Sequence, residues 1–71
     1  MDESRFKITL AAARVNAGMT QEEAAKKMKV SKNTIVNWEK AKVIPRVDEL
    51  NRLCFIYNAP PELIFLNSQS T

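Results

Sequence analysis

The 71-residue chain has no histidine, a single glycine, a single cysteine and three prolines. Without histidine there is no imidazole for acid–base pairs, nucleophile triads or histidine-held metals. The one cysteine, Cys54, cannot close a disulfide within the chain, and a secreted framework of this length needs several. A reducing, cytoplasmic setting is therefore expected. So little glycine and proline excludes flexible linkers, low-complexity tracts and a Gly-rich phosphate loop. No apolar run approaches the ~20 residues that span a bilayer. Residues 1–7 mix charges and lack the apolar stretch of a signal peptide. The length allows one domain without internal repeats, burying only about 60% of its unfolded surface. That is too little for a deep-pocket enzyme or a two-domain cofactor binder.

What is present is helical periodicity in a chain that is 45% hydrophobic, a composition that packs rather than stays disordered. Phe6, Leu10, Ala13 and Ala17 recur at helical spacing and predict a first helix over residues 6–17, stopped by Gly18. Thr20 and Glu23 form a capping-box pattern that opens a second helix over residues 21–28, with Ala24, Ala25 and Met28 inward. Ser31 is the N-cap of a third helix over residues 32–40. Ile35 and Trp38 lie on one side of it; Lys32, Asn33, Val36, Asn37 and Lys40 lie on the other. Only Lys29 and Val30 separate these two helices, and helices joined by so short a turn cross steeply. Residues 41–45 read as a loop, because Pro45 biases Ile44 away from helix. A fourth helix over residues 47–57 carries Val47, Leu50, Leu53, Cys54 and Tyr57 as its inner stripe and ends at Asn58. Pro60 and Pro61 predict a last short helix over residues 62–66. The expected fold is all-α: five short helices and no strand, with a domain over residues 1–66 and a polar tail over 67–71.

Charge is not spread evenly along these elements. The net charge is only +3, yet residues 26–46 carry Lys26, Lys27, Lys29, Lys32, Lys40, Lys42 and Arg46 against one acid, Glu39. That segment holds +6, and the remaining 50 residues hold −3. Cations placed on a short-turn helix pair and the loop after it suit a phosphate backbone, where they displace condensed counterions. Charge alone also fits a solvated lysine face. The outer face of the third helix is more specific. Lysine donates to guanine, asparagine pairs with adenine at two points, and a valine between them can meet a thymine methyl. Asparagine weakens a helix, so Asn33 and Asn37 are not explained by helix building.

The run TQEEAAKKMKVSKNTIVNWEK, residues 20–40, resembles the helix-turn-helix of lambda-repressor/Cro-type regulators, the XRE family. Arg14, Pro45 and the fourth-helix stripe fit the same pattern, so the resemblance covers about residues 6–65. It implies a compact lambda-repressor-like DNA-binding domain, with the helix-turn-helix at helices 2 and 3. The third helix would be the recognition helix in the major groove, with Lys32, Asn33, Val36 and Asn37 reading bases. Gln21, Thr34, Lys40, Lys42 and Arg46 match backbone-contacting positions, with Gln21 also bracing the recognition helix. Arg14 and Glu39 match a pair that the family joins as a salt bridge between the first and third helices. Two positions depart from the pattern: Lys29 and Ala41 stand where the family usually has glycine, which predicts positive φ at Lys29 and bears on the geometry of the loop after Glu39.

Trp38, Met19, Met28 and Tyr57 read as core. Cys54 lacks the basic neighbour a reactive thiol needs. Phe55, Ile56, Ile64, Phe65 and Leu66 exceed what a small core needs, and an apolar excess marks an interface. Phe55, Ile56, Phe65 and Leu66 are the expected dimer or partner patch; closing the core is the other use for such residues. The predicted function is a sequence-specific DNA-binding transcriptional regulator acting as a repressor. It would bind a double-stranded operator as a homodimer, at least on DNA. No catalysis, cofactor, metal or membrane contact is expected. The rival is an antitoxin-like or bridging protein-interaction module of the same fold.

Overall fold

A computed structural model describes residues 7–64 of the chain. Among them lie four α-helices and one short 3-10 turn: α1 (Leu10–Asn16), α2 (Gln21–Met28), α3 (Lys32–Glu39), α4 (Val47–Tyr57) and the turn Pro61–Leu63. Side chains set where each helix begins. Thr9 Oγ1 accepts from the Ala12 amide at 3.0 Å, and Ser31 Oγ accepts from that of Thr34 at 3.2 Å. The capping box of α2 closes in both directions, with Glu23 N donating to Thr20 Oγ1 and Thr20 N to Glu23 Oε1. Glu49 makes the second half of such a box at α4, accepting from Arg46 N at 2.8 Å. A cap of this kind stabilises a helix by about 1 kcal/mol.

All four helices end alike. Gly18, Lys29, Ala41 and Asn58 take left-handed φ values of 76°, 60°, 61° and 56°. Each then donates its amide to the carbonyl three residues back, and the next residue donates to the carbonyl five back, as Val30 does to Ala25 and Lys42 to Asn37. This is the Schellman arrangement, which satisfies the last carbonyls of a helix and turns the chain sharply. Glycine accepts that conformation freely and asparagine tolerates it; lysine and alanine hold it against a Cβ clash. The tight α2–α3 turn is therefore built on a strained lysine.

Three expectations need correction. The first helix starts at Leu10, not at residue 6, because Thr9 caps it and Ile8 is extended, forming a parallel bridge with Ile64. Ala17 and Val47 are exposed rather than part of inner stripes. Finally, in the described part of the segment expected to form a fifth helix, the chain makes a 3-10 turn, Pro61–Leu63, and then the bridged Ile64. Pro61 forces Pro60 into an extended conformation, and Ile64 is drawn into the bridge with Ile8, where Ile8 N donates to Leu63 O at 2.7 Å. Phe6, Phe65, Leu66 and the tail lie outside the described residues.

The core is small and continuous. Ile35 and Leu53 are 1% exposed, and Leu10, Met28, Trp38 and Tyr57 close around them. Ala13 on α1 and Ala24 and Ala25 on α2 are buried too, small side chains on the two helices that pack against α3 and α4. No helix among the described residues is long and apolar enough to cross a membrane.

Candidate nucleic-acid interface

The outer face of α3 follows from its inner one. With Ile35 and Trp38 buried, the 3.6-residue period turns the other side of the helix outward. Lys32 and Asn33 are exposed there, and Val36 and Asn37 are half-buried at its edge. The first turn of α3 has no acid, and the one carboxylate of the helix, Glu39, is 8% exposed and turned to Arg14. Thr34 is half-buried, its hydroxyl 3.0 Å from that of Ser31. Lys26, Lys27 and Lys29 are exposed on the preceding helix and turn; Lys40, Lys42 and Arg46 are exposed after α3. The amides of Lys42 and Val43 both donate to Asn37 O, and Pro45 is buried, so the basic loop is tied to α3 at one end and to the core at the other.

One partly buried polar network ties the helices together at a set angle. Glu39 Oε2 accepts from Arg14 Nε at 2.7 Å, and its Oε1 accepts from Arg14 Nη2 at 3.3 Å and from Gln21 Nε2 at 3.0 Å. Arg14 Nη1 donates to Met19 O at 2.9 Å. The Arg14 and Glu39 side chains are 13% and 8% exposed, so the pair is largely withdrawn from water. Its hydrogen bond to Glu39 raises the Arg14 pKa above the ordinary value, outweighing the opposing effect of burial. One carboxylate thus joins α1, the start of α2 and the end of α3. Beside it, burial and the Glu39 charge push the Tyr57 phenol up to about 12.

The remaining candidates are placed differently. Arg46 lies 3.6 Å from Asp48 and 3.7 Å from Glu49. Phe55 is 84% exposed on α4. Ile56, expected beside it in a patch, packs against the core, and Ile64 is buried in it. Burial pushes the Cys54 thiol up, with the Glu62 charge adding to the shift, which suits a packing residue. The family resemblance implied that Gln21 braces the third helix without giving its partner, and the approach of Glu22 to Lys32 was not read from the sequence. The amide of Gln21 bonds Glu39, and Lys32 Nζ lies 4.0 Å from Glu22 Oε2. Glu22 reads in the sequence as a helix-start acid, and nothing local signals that the start of α3 folds over it.

The Helix-turn-helix family model matches residues 10–64. An uncharacterized HTH-type transcriptional regulator of Archaeoglobus fulgidus (strain ATCC 49558 / DSM 4304 / JCM 9628 / NBRC 100126 / VC-16) is 42% identical over 53 residues, which cover 75% of this chain and 76% of that protein. No solved structure matches. A match over most of the chain, on the same two helices that carry the basic, asparagine-bearing face, settles the family: the chain belongs to the XRE-type helix-turn-helix proteins, a family of DNA-binding regulators.

Proposed function

We propose that this chain is a cytoplasmic, sequence-specific DNA-binding repressor that places α3 in the major groove. The observation that carries the reading is the face of α3: Lys32, Asn33, Val36 and Asn37 stand together on a helix whose opposite side is locked into the core. Lys32 would donate to guanine O6 or N7, Asn33 and Asn37 would pair with adenine N6 and N7, and Val36 would meet a thymine methyl. Gln21, Thr34, Lys40, Lys42 and Arg46 would contact the sugar-phosphate backbone. Such contacts set register and affinity and carry little sequence information. Gln21 keeps its carbonyl and one N–H after bonding Glu39, so a phosphate contact there would connect directly to the partly buried network. Repression follows from occupancy: a bound operator is closed to polymerase.

A homodimer on DNA belongs to the same reading. Phe55, 84% exposed on a small domain, is the apolar side chain that would meet its counterpart across a two-fold axis. The two recognition helices would then reach half-sites about 34 Å apart. Selection of bound sequences from a random duplex pool tests both parts. A palindromic consensus is the expected result; no enrichment refutes sequence-specific recognition. Sedimentation that shows a monomer at every concentration, with and without the selected duplex, refutes the dimer.

A further inference from the structure

We infer that Glu22 is a specificity-determining residue, which positions the Lys32 ammonium over the bases and penalises its transfer to a phosphate. The inference rests on α3 being the groove-reading helix. Glu22 lies in the first turn of α2 and Lys32 is the first residue of α3. Ten positions apart in sequence, they meet because the strained Lys29 turn folds the start of α3 back beside the start of α2. Their charged atoms are 4.0 Å apart, and both side chains are exposed at 55% and 73%. Glu22 has no part in the capping box, which uses Glu23 and Thr20. Among the described residues its side chain makes no hydrogen bond that a neutral amide would break.

An ammonium has three donors and no fixed plane. In the groove, two of them can serve guanine O6 and N7 while the ammonium keeps its ion-pair distance from Glu22. Guanine presents neutral acceptors, so the carboxylate remains compatible with that position. A phosphate demands the opposite. To bind it, Lys32 must leave Glu22, and the freed carboxylate then stands near the same polyanion, well within the ~10 Å over which charges act at moderate salt. Since non-specific binding is almost wholly phosphate contact, Glu22 weakens it selectively. Among the described residues, Arg46 is the other DNA-facing cation with a carboxylate within 4.0 Å. It sits on the backbone-contacting loop, where an acid lowers affinity on every sequence alike.

The test is titration of wild type, Glu22→Gln, Lys32→Ala and the double variant. Each is titrated against the duplex recovered by selection and a random duplex of equal length, with melting of every variant alongside. Glu22→Gln is expected to tighten random-duplex binding about two- to fivefold, the scale of one exposed ion pair. The selected duplex should shift by less than about half that factor, so the specificity ratio falls at unchanged melting temperature. In the Lys32→Ala background the same change should leave the ratio where it is. Equal tightening on both duplexes, no change on either, or an effect that persists without Lys32 overturns the inference. If wild type itself does not discriminate the two duplexes, the DNA-reading proposal fails first. If it does and Glu22→Gln keeps the ratio, only the role of Glu22 fails.

Discussion

Replacing Glu39 with alanine deletes the acceptor for three hydrogen bonds, two from Arg14 and one from Gln21. Arg14 is left with the Met19 carbonyl as its remaining partner, its side chain 13% exposed. Removing one member of a buried pair costs about 3–5 kcal/mol, mostly because the survivor keeps an uncompensated charge. The slight exposure of both groups puts the expectation near the lower end, about 3 kcal/mol. At roughly 0.05–0.15 kcal/mol per residue, a chain of this length has about 4–11 kcal/mol in total. The loss is therefore a large share, and at about 4–8 °C per kcal/mol it lowers the melting temperature by about 12 °C or more. Thermal and urea melts followed by circular dichroism measure it. Replacing both partners, as Arg14→Met with Glu39→Leu, removes the orphaned charge and should recover most of the loss. A Glu39→Ala shift under about 5 °C would place the pair with ordinary surface ion pairs, worth at most about 1 kcal/mol, and the network would not be what sets the helix angle.

Lys29→Gly relieves the left-handed strain at the α2–α3 turn and should raise stability by about 0.5–1 kcal/mol in urea melts, the chain-entropy cost of glycine offsetting part of the gain; a loss would show that the lysine is not strained. Lys32→Ala and Asn37→Ala should each weaken binding to the selected duplex by about 1–3 kcal/mol at a melting temperature changed by only a few degrees; a large drop in melting temperature would make them structural. Lys42→Ala should weaken selected and random duplexes alike and reduce the slope of log affinity against log salt by about 1; an unchanged slope removes it from the phosphate contacts. Burial pushes the Tyr57 phenol up to about 12 from an ordinary 10, so folding favours the neutral form. Its contribution is complete below pH 10 and is lost as pH rises toward 12. Tyr57→Phe should flatten that part of a stability–pH curve, and an identical curve would contradict the burial of the hydroxyl.

The bounds of α2 and α4 were legible because their signals are local: Thr20 with Glu23 at one start, Asn58 at one end. The third helix differs by a single residue, since Lys40 belongs to the closing turn. The first helix was misread because Phe6 continues the apolar period through Thr9, and a period cannot show that Ile8 is needed in an extended bridge with a residue 56 positions later. That same bridge explains why Ile64 is extended rather than helical. Ile56 was read as exposed because a helical stripe has soft edges, and only the packed neighbours decide which flank is covered.

The sequence by itself determined the composition of the outer face of α3, the concentration of cations on one segment, and the starts of α2, α3 and α4. Side-chain type and short-range spacing suffice for those. The resemblance implied a partner for Glu39 and a bracing role for Gln21; only the tertiary structure decided which atoms join Glu39, Gln21 and Glu22 to their partners. Each is an ordinary polar residue on its own helix, and each acquires its role from a group 25, 18 or 10 positions away. Such partners are set by how helices cross, and here the crossing depends on two left-handed residues with side chains, Lys29 and Ala41, at the turns that bracket α3.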